Sequence, residues 1–139
     1  MIKVRRNTFE TNSSSTHTIT IVSREEYDGW RKGKYLYDRW SQKLVPARQL
    51  TEYEKRDAKE QYEINRKSYW KTWDEMDEYD RDQVYGEYTA KLMEGTYNLM
   101  TEKQYDEWCG ERGMETSCVS YTTASGDGIV AFGYGGYDG

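Results

Sequence analysis

The chain has 139 residues, with 25 acidic and 20 basic side chains and a formal charge of −5. Ile, Leu, Val and Phe together number only 18, but 14 Tyr and 5 Trp supply enough large side chains for an aromatic core. No run approaches the ~18 apolar residues of a membrane span, and residues 1–6 lack the apolar stretch of a secretion signal. We therefore predict one small acidic domain, residues 1–139, in the cytoplasm and without membrane contact.

The residue types that usually carry metal binding and catalysis are scarce. The sequence has one histidine, His17, and two cysteines, Cys109 and Cys118, without the paired spacing of a zinc site. The glycine-rich stretch 133–139 is not followed by a predicted helix that would receive a dinucleotide phosphate. We therefore predict no metal, no cofactor and no catalytic residue, which favours a protein that is not an enzyme.

The N-terminal part of the chain is typical of β-strands separated by a polar loop. Residues 1–6 and 17–22 alternate apolar and polar side chains, the period of a half-buried strand. Between them, six consecutive small polar residues at 11–16 can hydrogen-bond their own backbone. This pattern predicts a structured loop that joins two strands.

A short helix and a third strand are predicted next. Ser23 and Glu26 have the spacing of a capping box, which predicts a helix over 25–31. Gly33 is placed to end that helix because glycine readily adopts positive φ. Residues 35–37 then predict a short strand.

The middle of the sequence predicts a long helical region. Thr51 and Glu54 form a second capping box, and strong helix formers run from 52 to 94. Apolar side chains recur at helical spacing in both halves of this region. They are Tyr62, Tyr69, Trp73, Met76, Tyr85, Tyr88 and Leu92.

The length of this region favours two helices over one. An unbroken helix of about 43 residues would be about 65 Å long, whereas a compact domain of this size has a radius of gyration near ~14 Å. We predict two helices that fold back on each other, with a break at 79–82 where Asp80 or Asp82 caps the second helix. A single projecting helix is the alternative.

The C-terminal part returns to strands. Thr101 and Gln104 predict a cap for a short helix ending near 109–110, and residues 116–123 and 129–134 flank an Asp-Gly turn typical of a hairpin. Strands at both ends around a helical middle predict an α+β fold. In this fold the N- and C-terminal strands share a small antiparallel sheet, and the centre is a long helix or an αα-hairpin.

Charge is distributed unevenly along the chain. Residues 1–47 have 9 basic and 5 acidic side chains, residues 48–108 have 10 and 16, and residues 109–139 have 1 and 4. Clustered Lys and Arg, which nucleic-acid binding requires, are limited to two small groups at 3–6 and 31–34. The sequence therefore predicts no direct binding of nucleic acid.

The densest negative charge lies in the second half of the helical region. On a helix, residues three or four apart lie close together, so carboxylates here can form a row that resembles the phosphates of a nucleic acid strand. We predict a partner-binding surface there, and a solvated face that only maintains solubility is the alternative. Its residues are Asp74, Asp77, Glu78, Tyr79, Asp80 and Asp82.

The polar loop before the second strand is a second candidate site. Hydroxyl groups, backbone N–H groups and the histidine can bind an anion or a nucleotide, or the loop can simply hydrogen-bond internally. The candidate ligand-binding residues are Asn12, Ser13, Ser14, Ser15, Thr16 and His17.

Two segments resemble a group of small uncharacterised proteins from bacteriophages, prophages and Gram-positive bacteria. The first is Arg-Asn-Thr-Phe-Glu-Thr-Asn-Ser-Ser-Ser-Thr-His-Thr at 6–18, and the second is Ser-Gly-Asp-Gly-Ile-Val-Ala-Phe-Gly-Tyr-Gly at 125–135. The resemblance implies a viral or mobile-element origin, and hence a bacterial cytoplasm as the place of action. It implies no activity.

Origin and charge together suggest a function by analogy with small acidic phage proteins. Many of these, including anti-CRISPR proteins, inhibit host defence or host nucleic-acid enzymes by occupying a basic surface. We therefore expect a non-enzymatic interaction protein whose partner is a basic host protein, such as a nucleic-acid-binding defence effector. The alternative is a nucleotide or signalling-metabolite binding protein, or a small enzyme, that uses the Ser-rich loop and His17.

Overall fold

The computed structural model describes residues 15–93 and 98–137, and the side chains of 18–93 and 98–135. The helices are α1 (Arg24–Arg31), α2 (Glu52–Asn65), α3 (Glu78–Met93) and α4 (Glu102–Glu111), with a 3₁₀ turn at Trp73–Glu75. The strands are β1 (Ser15–Ser23), β2 (Tyr35–Asp38), β3 (Lys43–Pro46), β4 (Leu99–Met100), β5 (Glu115–Thr122) and β6 (Gly128–Tyr137). The predicted α+β class is confirmed.

The described residues divide into two compact units. The terminal unit contains those up to Asp28 and from Lys103 onward, and the central unit contains those from Gly29 to Glu102. That residues 1–139 form one domain stays a prediction.

The sheet of the terminal unit joins the two ends of the chain. The strand order is β1-β6-β5, all antiparallel, and Phe132 lies opposite both Thr20 and Cys118. Thr20 and Phe132 are buried, whereas the neighbouring Ile19 and Ile21 are exposed, as the two-residue period of a strand requires. The predicted sheet of N- and C-terminal strands is therefore confirmed.

Aromatic side chains form the core of the terminal unit. The ring of Phe132 lies 5.9 Å from that of Tyr27 and 5.8 Å from that of Tyr105. Tyr134 contacts Tyr105 and Trp108 edge to face at 6.0 and 5.4 Å. Tilted and edge-to-face pairs at these distances are favourable, so tyrosine and tryptophan do the packing that aliphatic residues do in most domains.

The predicted hairpin between β5 and β6 is also confirmed. The Thr123 N–H donates to the Asp127 carbonyl at 2.8 Å, and Gly126 has a φ of 94°. The predicted strand at 1–6 lies outside the described residues.

The middle of the chain forms an αα-hairpin, as predicted. The Thr51–Glu54 capping box begins α2, and the Tyr88 hydroxyl of α3 donates to the Asp57 carboxylate of α2 at 2.7 Å. That hydrogen bond raises the pKa of Tyr88 to about 12. The alternative of a single projecting helix is excluded, because α2 ends at Asn65 and α3 begins at Glu78.

The predicted position of the break, 79–82, is wrong. Residues 79–82 lie inside the first turns of α3, and the break spans 66–77. Asp77 caps α3, since the N–H of Asp80 donates to its Oδ1 at 2.8 Å. Neither Asp80 nor Asp82 has the predicted capping role.

Tertiary contacts hold the break open at 66–77. The Tyr62 hydroxyl donates to the Lys71 carbonyl at 2.6 Å, and the Trp73 N–H donates to the Glu63 carboxylate at 2.7 Å. A capping box between Thr72 and Glu75 begins the 3₁₀ turn. The predicted continuous helical face is therefore wrong for Tyr69, Trp73 and Met76, and Tyr69 is 77% exposed.

A second sheet lies in the central unit, and only its middle strand was predicted. The order is β3-β2-β4, all antiparallel. Leu36 and Tyr37 of β2 are almost fully buried together with Trp30 of α1. The Trp30 indole N–H donates to the Met100 carbonyl at 3.1 Å, which ties α1 to β4.

Gly33 ends α1 as predicted, and its replacement tests how tightly the central unit is packed. Its φ is 77°, and a Cβ there would lie 2.7 Å from the Asp82 carbonyl oxygen. We expect Gly33→Ala to lower the free energy of unfolding by about 2–4 kcal/mol, because left-handed strain and overpacking add.

Gly113→Ala is the matched control for Gly33→Ala. Gly113 has a φ of 70°, but a Cβ there would meet nothing within 4 Å, so we expect a loss of only about 1 kcal/mol. Urea denaturation measures both values. Equal losses would show that the close approach to Asp82 has no energetic effect.

Candidate functional site

The six residues predicted to bind a partner do not lie on one helix face. Asp74 lies in the 3₁₀ turn and Asp77 follows it, whereas Glu78, Tyr79, Asp80 and Asp82 belong to α3. The predicted single row along a continuous helix is therefore wrong, because the helix begins only at Glu78.

Four carboxylates nevertheless form one exposed group, which we call the acidic surface. Its members are Asp74, Glu75, Asp77 and Glu78. Trp73 and Met76 are 5% and 8% exposed. Because these two side chains anchor the segment in the core, the carboxylates around them are left on the outside. Glu75 was not among the predicted residues.

Local hydrogen bonds fix the backbone of the acidic surface. The Thr72 N–H donates to Oε1 of Glu75 at 2.9 Å, and this bond lowers the pKa of Glu75. Asp77 caps α3, where negative charge is also stabilised by the helix dipole. The carboxylates thus have a structural role at the helix start as well as a place on the surface.

Arg81 is the one cation among residues 72–82, and it forms no ion pair with the acidic surface. The Arg81 guanidinium donates two hydrogen bonds to the Trp73 carbonyl, at 3.1 and 2.9 Å, and lies 5.5 Å from the Trp73 ring. Across the part of the chain that the structure describes, no cationic nitrogen lies within 4.0 Å of the four carboxylates. The four side chains are exposed, although Arg66 and Lys71 add, after the Thr72 hydrogen bond, to the lowering of the pKa of Glu75.

The remaining three predicted residues have contacts within the central unit. The half-buried Tyr79 donates to the Glu102 carboxylate at 2.7 Å, and the Arg31 guanidinium lies 5.5 Å from its ring. Asp80 lies 3.9 Å from the Lys71 ammonium group. Asp82 is half-buried and lines a separate cleft. These three contribute less to an external surface than the sequence suggested.

The second candidate site lies mostly outside the described residues. This holds for Asn12, Ser13 and Ser14, and the predicted ligand-binding role of the loop stays a prediction. Ser15, Thr16 and His17 belong to the start of β1, where they pair with Tyr137, Gly136 and Gly135. The strand thus begins at Ser15, two residues before its predicted start at 17.

The described residues show no metal-binding cluster and no membrane-spanning helix. Residues 15–93 and 98–137 contain no group of three or more His, Cys, Asp or Glu side chains arranged to hold a metal ion. Cys109 is buried, which raises the pKa of its thiol to about 11, and Cys118 is exposed. None of the described helices is long and apolar enough to span a membrane.

No family model, no curated protein and no solved structure matches the chain.

Proposed function

We propose that this protein is a non-enzymatic interaction protein that binds a positively charged partner through the acidic surface. The observation that carries the proposal is the exposure of four carboxylates within residues 74–78, none of which has an ion-pair partner among the described residues. Complementary charge speeds association and selects partners.

The fixed backbone of this segment supports the proposal. A capping box, a helix cap and two buried anchors hold residues 72–78 in one conformation. A surface that is already ordered loses little conformational entropy when it binds. A mobile acidic tail would lack this advantage.

Exposed aromatic side chains in the preceding loop support it further. Tyr69 is 77% and Trp70 is 42% exposed. The Trp70 ring stacks on Tyr62 at 6.4 Å, and Tyr62 in turn contacts Trp73 at 6.2 Å. Tyrosine and tryptophan are enriched among the residues that dominate binding energy, so this loop can add apolar contact area beside the acidic surface.

The partner that we propose is a nucleic-acid-binding protein of a bacterial host. Such a protein has a basic groove shaped for phosphates, and closely spaced carboxylates can compete for that groove. The resemblance of residues 6–18 to phage and prophage proteins supports an inhibitor of host defence, similar to an anti-CRISPR protein, or of another host nucleic-acid enzyme. The bacterial cytoplasm is the corresponding place of action.

Charge reversal tests this proposal. We expect Asp74→Lys combined with Glu78→Lys to weaken binding to a purified RNA-guided CRISPR nuclease at least about tenfold, mainly through slower association. Binding of the unchanged protein should itself weaken as salt rises from about 0.1 to 0.5 M. Surface plasmon resonance measures both effects. Asp77 is left unchanged because it caps α3.

The control variant has the same change in net charge at a different place. Glu107→Lys combined with Glu111→Lys reverses two exposed carboxylates of α4 in the terminal unit. This control should bind as the unchanged protein does. Equal affinities of the two variants, or no binding by the unchanged protein to a panel of nucleic-acid-binding host proteins, would contradict the proposed function.

A further inference from the structure

A cleft of about 520 Å³ lies within the central unit. Four segments form its walls: the turn at 32–34 after α1, the connection at 47–50 before α2, the first turn of α2 at Lys55, and α3. This volume is in the range of sites for small ligands.

Four cations from three different segments line this cleft. They are Lys32, Lys34, Arg48 and Lys55. Neither Lys32 nor Lys34 forms an ion pair within the described residues. Lys55 has only a 3.9 Å contact with Glu52, whose side chain is 89% exposed.

Arg48 is held in place by a carboxylate that does not line the cleft. Its guanidinium donates to both oxygens of Glu54, at 3.3 and 2.6 Å. The pair lowers the pKa of Glu54 to about 2, so the guanidinium keeps its orientation at neutral pH. A bidentate pair of this kind fixes geometry as well as charge.

The lining of the cleft also includes an aromatic and an apolar side chain, Tyr85 and Leu50. Tyr85 is half-buried, with its ring 5.4 Å from that of Trp73 in an edge-to-face contact. Burial raises the pKa of Tyr85, so its hydroxyl is a neutral hydrogen-bonding group. The buried Thr89 donates its own hydroxyl to the Tyr85 carbonyl at 2.8 Å, and the half-buried Leu50 also lines the cleft.

Hydrogen bonds join the walls of the cleft and fix their relative positions. The Ala47 N–H donates to the Lys34 carbonyl at 2.9 Å, which connects the β3–α2 connection to the α1–β2 turn. The Gln83 side-chain amide donates to the Arg31 carbonyl at 2.9 Å, which connects α3 to the same turn. Pre-formed sites bind ligands at a lower entropic cost.

Asp82 is the one carboxylate in the lining, and the effect of its charge on anion binding can be tested. Asp82 is half-buried, and burial followed by the nearby Glu78 raises its pKa, although Lys32, Lys34 and Lys55 oppose this rise. An ionised Asp82 would repel an anion in the cleft. Its removal should therefore act in the opposite direction from removal of a lysine.

We propose that this cleft binds a small phosphorylated ligand of mononucleotide size, with the phosphate against Lys32, Lys34 and Arg48 and a flat or apolar group over Tyr85. Lysine and arginine side chains bind phosphate through charge-assisted hydrogen bonds. A nucleic acid strand is a poorer fit, since residues 48–108 carry 16 acidic against 10 basic side chains and would repel a long polyanion.

Isothermal titration calorimetry on the full chain tests this proposal with AMP, ATP, ribose 5-phosphate, inorganic phosphate and uncharged adenosine as probes. We expect binding of the nucleotides and competition by inorganic phosphate. Lys32→Gln combined with Lys34→Gln should raise the Kd for the nucleotides at least about tenfold, and Asp82→Asn should lower it about threefold. Tyr85→Leu should weaken the binding of nucleotides more than the binding of inorganic phosphate.

The matched control is Lys59→Gln combined with Lys91→Gln, which removes two exposed cations outside this cleft. It should leave the Kd within about twofold of the unchanged value, because exposed charges at a distance are screened. An equal rise in Kd for both double lysine variants would overturn the proposal. Binding of adenosine as tight as that of AMP would also overturn it. Absence of nucleotide binding at millimolar concentration would overturn it too.

The two proposals fail separately. The lysine variants leave the acidic surface intact and should bind the basic partner normally.

Discussion

Replacement of Trp30 by alanine is expected to lower the free energy of unfolding by about 3–5 kcal/mol, the usual cost of removing a fully buried aromatic side chain. Trp30 is 1% exposed and its ring lies 6.0 Å from that of Tyr37. Its indole N–H is bonded to the Met100 carbonyl. The substitution therefore leaves both a cavity and a buried carbonyl that has lost this hydrogen bond.

Trp30→Phe separates these two contributions. Phenylalanine keeps most of the aromatic volume but cannot donate to Met100, so we expect a loss of about 1–3 kcal/mol. Denaturation monitored by far-UV circular dichroism measures both variants. A loss below about 1 kcal/mol for Trp30→Ala would show that Trp30 is not central to this core.

The same variant tests the prediction that residues 1–139 form one domain. If unfolding is a single cooperative transition, Trp30→Ala should speed hydrogen exchange of the slowest amides in β1, β5 and β6 as much as in α3. Faster exchange confined to the central unit would show that the two units unfold separately, and the single-domain prediction would be wrong.

Features that depend on neighbouring residues could be predicted from the sequence. The capping boxes at Ser23–Glu26 and Thr51–Glu54 both form, because each needs only a hydroxyl and a carboxylate three residues apart. The β5–β6 hairpin also has a local origin, in a glycine-containing turn where Gly126 has the positive φ. The shared sheet of terminal strands was predicted because strand-like segments lie at both ends of a helical middle.

The position of the helix break could not be predicted from spacing alone. Residues 66–77 contain neither Gly nor Pro, and the helix propensities of the other residue types differ by only about 0.7 kcal/mol. The break depends on Tyr62 and Glu63 of α2, which bond the backbone of Lys71 and Trp73. These bonds exist only once the chain has folded back, and they outweigh propensity.

The candidate sites differ in how visible they are in the sequence. The acidic surface is a run of carboxylates, so most of it was predictable, and Glu75 was missed because only the structure shows that Trp73 and Met76 are buried. The cationic cleft was missed because Lys34, Arg48 and Lys55 are far apart in the chain. A hydrogen bond from Ala47 to Lys34 is the kind of contact that brings such segments together, and it leaves no pattern in the sequence.

Phe132→Ala should have an equally large effect in the terminal unit, with a loss of about 3–5 kcal/mol in the free energy of unfolding. Phe132 is 2% exposed, lies on the central strand of the sheet, and contacts Tyr27 and Tyr105. Because the aliphatic residues are so few, other side chains cannot easily move in to fill its cavity, and aromatic rings are too large and rigid to do so.

Ile21→Ala is the control, since Ile21 is 64% exposed on β1 of the same sheet. Ile21→Ala should lower the free energy of unfolding by less than about 1 kcal/mol, because an exposed side chain leaves no cavity when truncated. Chemical denaturation gives both values, and Phe132→Leu should fall between them because leucine fills part of the cavity. If Phe132→Ala were no more harmful than Ile21→Ala, the tyrosines around Phe132 would not form a close-packed core. The idea that aromatic residues compensate for the shortage of aliphatic ones would then fail.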